Sequence, residues 1–258
     1  MKFNYVLTSC NDNEFYYSLI PLWISAWKKF YPDIKIKIIV ISDKEDKNLE
    51  LYSDHIIYYK PIEGISTVFI SQFIRILYPC LIESNEGILI TDIDDIPLNS
   101  KYFSENIKDI PNDKFIYYRS WKTKDQYCIM YNIANQKSWQ EIIKINNLND
   151  LSDRLISIYK NIKYNGNHGG PGWFTDQEYL YKYINEWQNK NINFVQLIDH
   201  KCKFNRLNPC LSYDISFNKI LERINNNEFS DYHIWRPYNR FLDFNNYLIE
   251  NLHLDKIL

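Results

Sequence analysis

Three carboxylates fall together where they could hold a hard cation. Asp92, Asp94 and Asp95 lie in the run Gly87-Ile88-Leu89-Ile90-Thr91-Asp92-Ile93-Asp94-Asp95-Ile96-Pro97-Leu98. The apolar residues 88–90 read as a buried strand of an α/β sheet, and Pro97 forbids its ladder from continuing. Asp92 and Asp94 are two apart, so in an extended chain they share a face while Ile93 points back into the protein. Such a pair is costly without a cation. Carboxylates at the carboxyl end of a parallel strand lie where open α/β sheets bind ligands, and hard oxygen donors suit Mg²⁺ or Mn²⁺, which bridge phosphates. The same residues also fit a strand that simply stops in an acidic, solvated turn, so the surroundings must decide.

Two further stretches contribute. The chain has six glycines, and four of them (Gly166, Gly169, Gly170, Gly172) fall within seven residues. Beside Pro171 they permit positive φ and close approach of main chain to a ligand. Trp173-Phe174-Thr175-Asp176-Gln177 follows as a helix start, in which Thr175 or Asp176 would serve equally as a plain cap. The other stretch is Asp231-Tyr232-His233-Ile234-Trp235-Arg236-Pro237-Tyr238. A lone histidine such as His233 is more often a packed or surface side chain than a ligand, and His168 and His200 have no better claim.

The elements that must carry these residues follow from periodicity. Lys2 to Ser9 reads as a first strand ending in small hydroxyl residues, Thr8 and Ser9, where a ligand could approach. Glu14 to Phe30 places Tyr16, Leu19, Ile20, Trp23 and Trp27 at helical spacing, with Asp12 or Asn13 as N-cap, a kink at Pro21 and a stop at Pro32. The stripe reads as core. Ile34 to Ser42 is a second strand, finishing at Asp43, and His55 to Tyr59 a third. Ser66 can cap a helix to about Tyr78 whose core face is Ile70, Phe73, Ile74 and Leu77, with Gln72 and Arg75 on another face. The acidic strand follows. The order β-α-β-β-α-β, with polar residues after each strand, predicts a doubly wound α/β domain with its site along the strand ends. Beyond it, Lys114 to Tyr118 and Tyr127 to Ile133 read as strands, and Gln136 to Ile145 and Leu151 to Tyr159 as helices.

Composition narrows the possibilities. With 258 residues, 45% hydrophobic and 24% charged, the chain can bury a substantial core. A net charge of −2 gives no electrostatic footprint for nucleic acid. The five cysteines (Cys10, Cys80, Cys128, Cys202, Cys210) are scattered and form no Cys-x-x-Cys pair, which argues for reduced thiols and against a structural zinc. No signal-type leader, membrane span or Asn-x-Ser/Thr sequon is found, so a cytoplasmic protein is expected.

Taken together, these stretches resemble the GT-A glycosyltransferases, and more closely glycosyltransferase family eight, the glycogenin and lipopolysaccharide galactosyltransferase group. There a helix carrying an arginine, a leucine and a proline leads to a strand ending in Asp-x-Asp and often Pro-Leu. Arg75, Leu77 and Pro79 precede Asp92-Ile93-Asp94 and Pro97-Leu98 at similar spacing. Cys128-Ile129-Met130-Tyr131-Asn132 resembles the family's following strand, and Asp176-Gln177-Glu178 its Asp-Gln-Asp helix start. His233 with Arg236-Pro237-Tyr238 is similar to the closing segment, where a histidine completes the metal site and Lys-Pro-Trp holds the diphosphate. In that segment the family has a glycine and a longer spacing, whereas only Ile234 and Trp235 stand between His233 and Arg236. Tyr127 and Cys128 stand where it usually has a small residue.

The resemblance implies a single-domain GT-A-type doubly wound mixed sheet with helices on both faces over residues 1–240, and a C-terminal helical extension over 241–258. It implies a metal-dependent glycosyltransferase moving a sugar from a nucleoside-diphosphate sugar, a UDP-sugar by preference, to a glycan or other hydroxyl acceptor. Mn²⁺ or Mg²⁺ would be held by Asp92, Asp94 and His233. Arg75 and Arg236 would meet the sugar and diphosphate, and Thr8, Ser9 and Asp43 the nucleotide. Asp176 and Gln177 would face the transferred sugar. Competing readings are a non-catalytic glycan-binding module, and a Mg²⁺-dependent phosphatase or nucleotidyltransferase using the Asp-x-Asp pair. The phosphatase would need a downstream acidic pair that the chain lacks. The nucleotidyltransferase would need a Gly-rich, basic loop after the first strand, and Thr8 to Asn13 has neither glycine nor basic residue.

Overall fold

The computed structural model describes residues 1–120, 122–188 and 193–258. In chain order the strands are β1 (Phe3–Asn11), β2 (Lys35–Ile41), β3 (Ile56–Tyr59), β4 (Gly87–Ile90), β5 (Asp95–Pro97), β6 (Phe115–Tyr117), β7 (Lys122–Thr123), β8 (Gln126–Tyr127), β9 (Asn132–Ala134), β10 (Phe194–Gln196), β11 (Arg206–Leu207) and β12 (Asp231–His233). The helices are α1 (Glu14–Ser18), α2 (Ile20–Phe30), α3 (Thr67–Leu77), α4 (Tyr102–Glu105), α5 (Gln136–Ile143), α6 (Leu148–Lys160), α7 (Thr175–Gln188), α8 (Phe217–Asn225) and α9 (Leu242–Asn251).

Seven strands form one mixed sheet in the order β10-β6-β9-β4-β1-β2-β3. β1 is central, parallel to β2 on one side and to β4 on the other, while β9 runs antiparallel to its neighbours β4 and β6. Strands buried on both faces need continuous apolar runs, which Ile38-Ile39-Val40-Ile41 and Ile88-Leu89-Ile90 supply. Alternation along each strand then feeds two cores. Val6, Ile38 and Leu89 pack with Trp23 and Trp27 of α2 and with Ile220, Phe244 and Leu248 of α8 and α9. Leu7, Ile39, Ile88 and Ile90 pack with Ile70 and Phe73 of α3, Trp139 of α5, Leu155 of α6 and Leu180 of α7. The chain leaves β1 toward β2 and β3 and then crosses back to β4. This makes the cleft between the carboxyl ends of β1 and β4 the switch point at which open α/β sheets bind ligands.

Several local expectations are corrected. The helix foreseen over Glu14 to Phe30 is two helices meeting at Leu19, with Asn13 capping the first through Phe15 N. Pro21 lies in the first turn of α2, where its missing N–H would have no helical acceptor in any case. The strand foreseen over Tyr127 to Ile133 survives only at its ends, as β8 and β9, because Tyr131 takes φ +61° and breaks the extended run. Beyond β4 the chain is not extended. Asp92 to Asp95 form a turn closed by Asp95 N donating to Asp92 O at 3.3 Å, and Pro97 ends a new strand, β5, in place of terminating the old one.

That turn carries the chain from the large sheet into a small one, ordered β11-β12-β5. Arg206 of β11 fastens it: its guanidinium contacts Asp95 Oδ2 at 2.9 Å and Asp231 Oδ2 at 2.6 Å, and Tyr131 Oη donates to the same Asp231 oxygen at 2.8 Å. Among the described residues, no helix is long and apolar enough to cross a membrane.

β4 can sit this close to β9 only because it begins with glycine. A Cβ at Gly87 would fall 2.5 Å from Ile133 Cδ1 and 2.7 Å from its Cγ1. Gly87→Ala is therefore expected to destabilise the fold by about 1 to 3 kcal/mol through overpacking, measured by urea unfolding at constant m-value.

Candidate functional site

The switch point opens into a cleft of about 730 Å³. One wall comes from the end of β1 and from α3, the floor from the turn after β4, and the far side from the Gly-rich segment, the start of α7 and the residues after β12. Ser9, Arg75, Asp92, Asp94, Asp176, Gln177, His233 and Arg236 all line it, although they come from five separate stretches of chain. Thr8 and Asp43 do not. Thr8 is fully buried on the face of β1 it shares with Val6, opposite α3, whereas Ser9 points to α3 and donates to Ser71 O. Asp43 is exposed on the loop after β2, outside the cleft wall.

The turn over 92–95 explains how both carboxylates of the Asp-x-Asp pair reach the cleft: Ile93 is buried at 4% exposure and anchors the turn between them. Asp92 is held by a short ion pair to Arg75, whose other guanidinium nitrogen contacts Asp176 Oδ2 at 3.3 Å. Arg75 is largely buried, yet the carboxylates of Asp92 and Asp176 more than offset the burial and raise its pKa. Asp176, 3% exposed, also accepts from the adjacent Gln177 N at 2.8 Å while pairing with Arg75. Burial, opposed by Arg75, still pushes its carboxyl up to about 6.

His233 is brought to Asp94 by strand pairing. β12 runs antiparallel to β5 with His233 opposite Asp95, and Ile234 N donates to Asp94 O at 2.8 Å. His233 Nε2 then lies 3.8 Å from Asp94 Oδ2, close enough for charge to act but too long for a formed hydrogen bond. Burial raises the Asp94 carboxyl, but His233 and Arg236 outweigh it and the net shift is downward. Burial presses His233 down, while Asp94 and Asp95 draw it up further. On its other side, Trp235 Nε1 donates to His233 Nδ1 at 3.1 Å, and this donor-only group opposes a second ring proton there. The exposed Arg236 lies over the Tyr16 ring at 5.1 Å.

Donor chemistry supplies the test for a cation. Among the described residues, no group of three or more His, Cys, Asp or Glu side chains stands together as a metal cluster. Mg²⁺-type sites do not require one, since one or two carboxylates plus substrate phosphates suffice. Asp94, whose one ionic neighbour within 4 Å among the described residues is an imidazole, and Asp92 beside it provide two hard oxygen donors on one turn. The donor set of these residues therefore fits a hard cation such as Mn²⁺ or Mg²⁺.

Other cleft residues carry no signal strong enough to find in the sequence. Tyr16 sits in a helical stripe that reads as core, and Trp173 and Trp235 line the cleft beside the residues that the motifs single out. Trp173 packs against His168 at 5.1 Å between ring centres. Gln72 accepts from Tyr164 Oη at 2.6 Å and ties α3 to the Gly-rich segment. Gly172 must be glycine in this segment: its φ is +77°, and a Cβ would meet Lys163 O at 2.5 Å.

No family model matches the sequence, and no curated protein matches it. Solved structures do. The glycosyltransferase GlyE of Streptococcus pneumoniae TIGR4 is 13% identical, with 98% of this chain and 64% of that chain covered and a TM-score of 0.52. The WbbM bifunctional glycosyltransferase is 13% identical, with 97% and 49% covered and a TM-score of 0.50. The galactosyltransferase LgtC, in complex with donor and acceptor sugar analogues, is 12% identical, with 98% and 97% covered and a TM-score of 0.49. The likeness to GlyE and WbbM shows that this chain has the GT-A glycosyltransferase fold, as the motifs predict.

The raised carboxyl of Asp176 makes stability depend on pH. Its folded-state value of about 6 exceeds the roughly 3.9 of an unfolded Asp, so its stabilising effect is complete below about pH 4 and is lost as pH rises through about 6. In EDTA, the melting temperature of the wild type should therefore fall relative to that of Asp176→Asn between pH 4 and pH 7, by differential scanning calorimetry.

Proposed function

We propose that the protein is a metal-dependent glycosyltransferase that moves a sugar from a nucleoside-diphosphate sugar, preferably a UDP-sugar, to the hydroxyl of a glycan or other acceptor. The observation that carries this reading is the Asp92–Asp94 turn opening into the cleft at the β1/β4 switch point of a GT-A fold. In this reading Asp92 and Asp94 hold Mn²⁺ or Mg²⁺, with the His233 imidazole beside Asp94. When bound, the cation supplies Lewis-acid stabilisation of the departing diphosphate.

The chain's own groups do the rest. Ser9, at the end of β1, approaches the nucleotide. Arg236, exposed at the mouth and steadied on Tyr16, reaches for the diphosphate and neutralises part of its charge. Arg75 and Asp176 form the inner wall and would meet the sugar. Gln177 Oε1 is buried without a hydrogen-bond partner among the described residues, and a sugar hydroxyl would satisfy it. Asp176 would stabilise positive charge developing on the sugar, an interaction stronger in the transition state than in the ground state. A solvated acidic turn has no use for this convergence of buried ionic groups.

Nucleoside-diphosphate affinity should then require the cation, because the carboxylates otherwise repel the diphosphate. Calorimetric titration of UDP and GDP with Mn²⁺, and again with EDTA, tests this; equal affinities would remove the cation from the reaction. Asp176→Asn should leave donor affinity nearly unchanged and lower turnover at least about a hundredfold, roughly 2.7 kcal/mol of barrier. Turnover equal to wild type would reduce Asp176 to a helix cap.

A further inference from the structure

The imidazole of His233 has two nitrogens, and the structure commits one and points the other at a carboxylate. Nδ1 accepts the indole N–H of Trp235 at 3.1 Å. Indole has no acceptor, so the contact requires a bare Nδ1, and a neutral imidazole must then carry its hydrogen on Nε2. Nε2 is the nitrogen that faces Asp94 Oδ2 at 3.8 Å. A cation can take Nε2 only if that nitrogen is bare, which moves the hydrogen to Nδ1 and sets it against the Trp235 N–H, donor to donor. Metal-binding histidines normally offer their second N–H to a carboxylate, carbonyl or water. Here that place is filled by a group of the opposite kind.

Neither partner is free to turn aside without loss. His233 is fixed by the pairing of β12 with β5, and the Trp235 ring packs edge-on against Phe241 at 6.2 Å between centres. With only Ile234 between His233 and Trp235, and Ile234 buried and bonded to Asp94 O, the backbone offers little slack. We propose that Trp235 is a tautomer lock, which fixes His233 as the Nε2–H form, keeps it facing Asp94 and holds it out of the cation's first coordination shell. His233 is then a positioning residue: its Nε2–H faces the Asp94 carboxylate at 3.8 Å and acts on it through charge, and the cation is held by Asp92 and Asp94. The lock deepens the reading of the preceding section and rests on it for the cation, but not for the tautomer.

Two measurements separate the lock from the cation reading. The chain has five histidines, and in metal-free protein with ¹⁵N-labelled histidine, His233 is identified by the signal lost in His233→Gln. Its two-bond couplings should report the Nε2–H tautomer in wild type and a mixture in Trp235→Phe, which keeps the ring but removes the N–H. Mn²⁺ alone is then the probe. Pulsed EPR should show no directly bound nitrogen in wild type. It should show one in Trp235→Phe that disappears in Trp235→Phe/His233→Gln, with Mn²⁺ bound about tenfold more tightly by the single variant. Directly bound nitrogen in wild type, an Nδ1–H tautomer in wild type, or a Trp235→Phe protein identical to wild type would each overturn the lock. Failure of every variant to bind Mn²⁺, both alone and with UDP present, would sink the cation reading, leaving the tautomer to be decided by the couplings alone. The wild-type measurements need no variant to fold, and matched melting curves qualify Trp235→Phe.

Discussion

A buried guanidinium must be neutralised, and the cleft is arranged about that need. Arg75 comes from α3, Asp92 from the turn after β4 and Asp176 from the first turn of α7, so one ion-paired group joins three elements that share no local contact in sequence. An unpaired buried charge costs several kcal/mol, which makes the correct relative placement of these elements a condition of burying α3 at all. Arg206 imposes the same condition on the opposite wall, between β5, β11 and β12. The two clamps sit on either side of the Asp92–Asp95 turn: Asp92 belongs to the first, Asp95 to the second, and Asp94 lies between them, facing His233 and, farther off, Arg236. The turn is held at both ends by full ion pairs while its middle carboxylate is in neither clamp and stays open to the cleft. Stability alone does not favour such an arrangement, and exceptions of this kind collect at functional sites.

Much of this was legible in the sequence because the relevant signals are local. The apolar run before Asp92, the cluster Gly166–Gly172 before Asp176, and the Ser9 hydroxyl at the end of an apolar strand each stand out from their neighbours. The fold class was readable for the same reason, since alternation of strands and helices is a short-range pattern. What escaped depends on partners far away in the chain. Arg206, Asp231 and Tyr131 form a buried network that no spacing announces, and Tyr16 is half of a helical stripe whose other members do enter the core. Thr8 and Ser9 look alike in sequence, yet a strand's two-residue period sends one into the core and the other to α3. The turn at Asp92 looked extended because nothing local reveals that a second sheet begins at Asp95.

The same clamps bear on how the protein is made. β1 is central, so it emerges from the ribosome with two edges to fill; β2 and β3 follow soon and can occupy one, but the other waits for β4. Arg75 is synthesised before either of its carboxylate partners, and the second, Asp176, arrives only with α7. Until then α3 cannot bury its charged face, and the apolar face carrying Ile70, Phe73 and Ile74 lacks Leu180 of α7 to pack against. The half-made chain thus presents an open sheet edge and an uncovered greasy helix at the same time, the two features that drive nascent chains to aggregate.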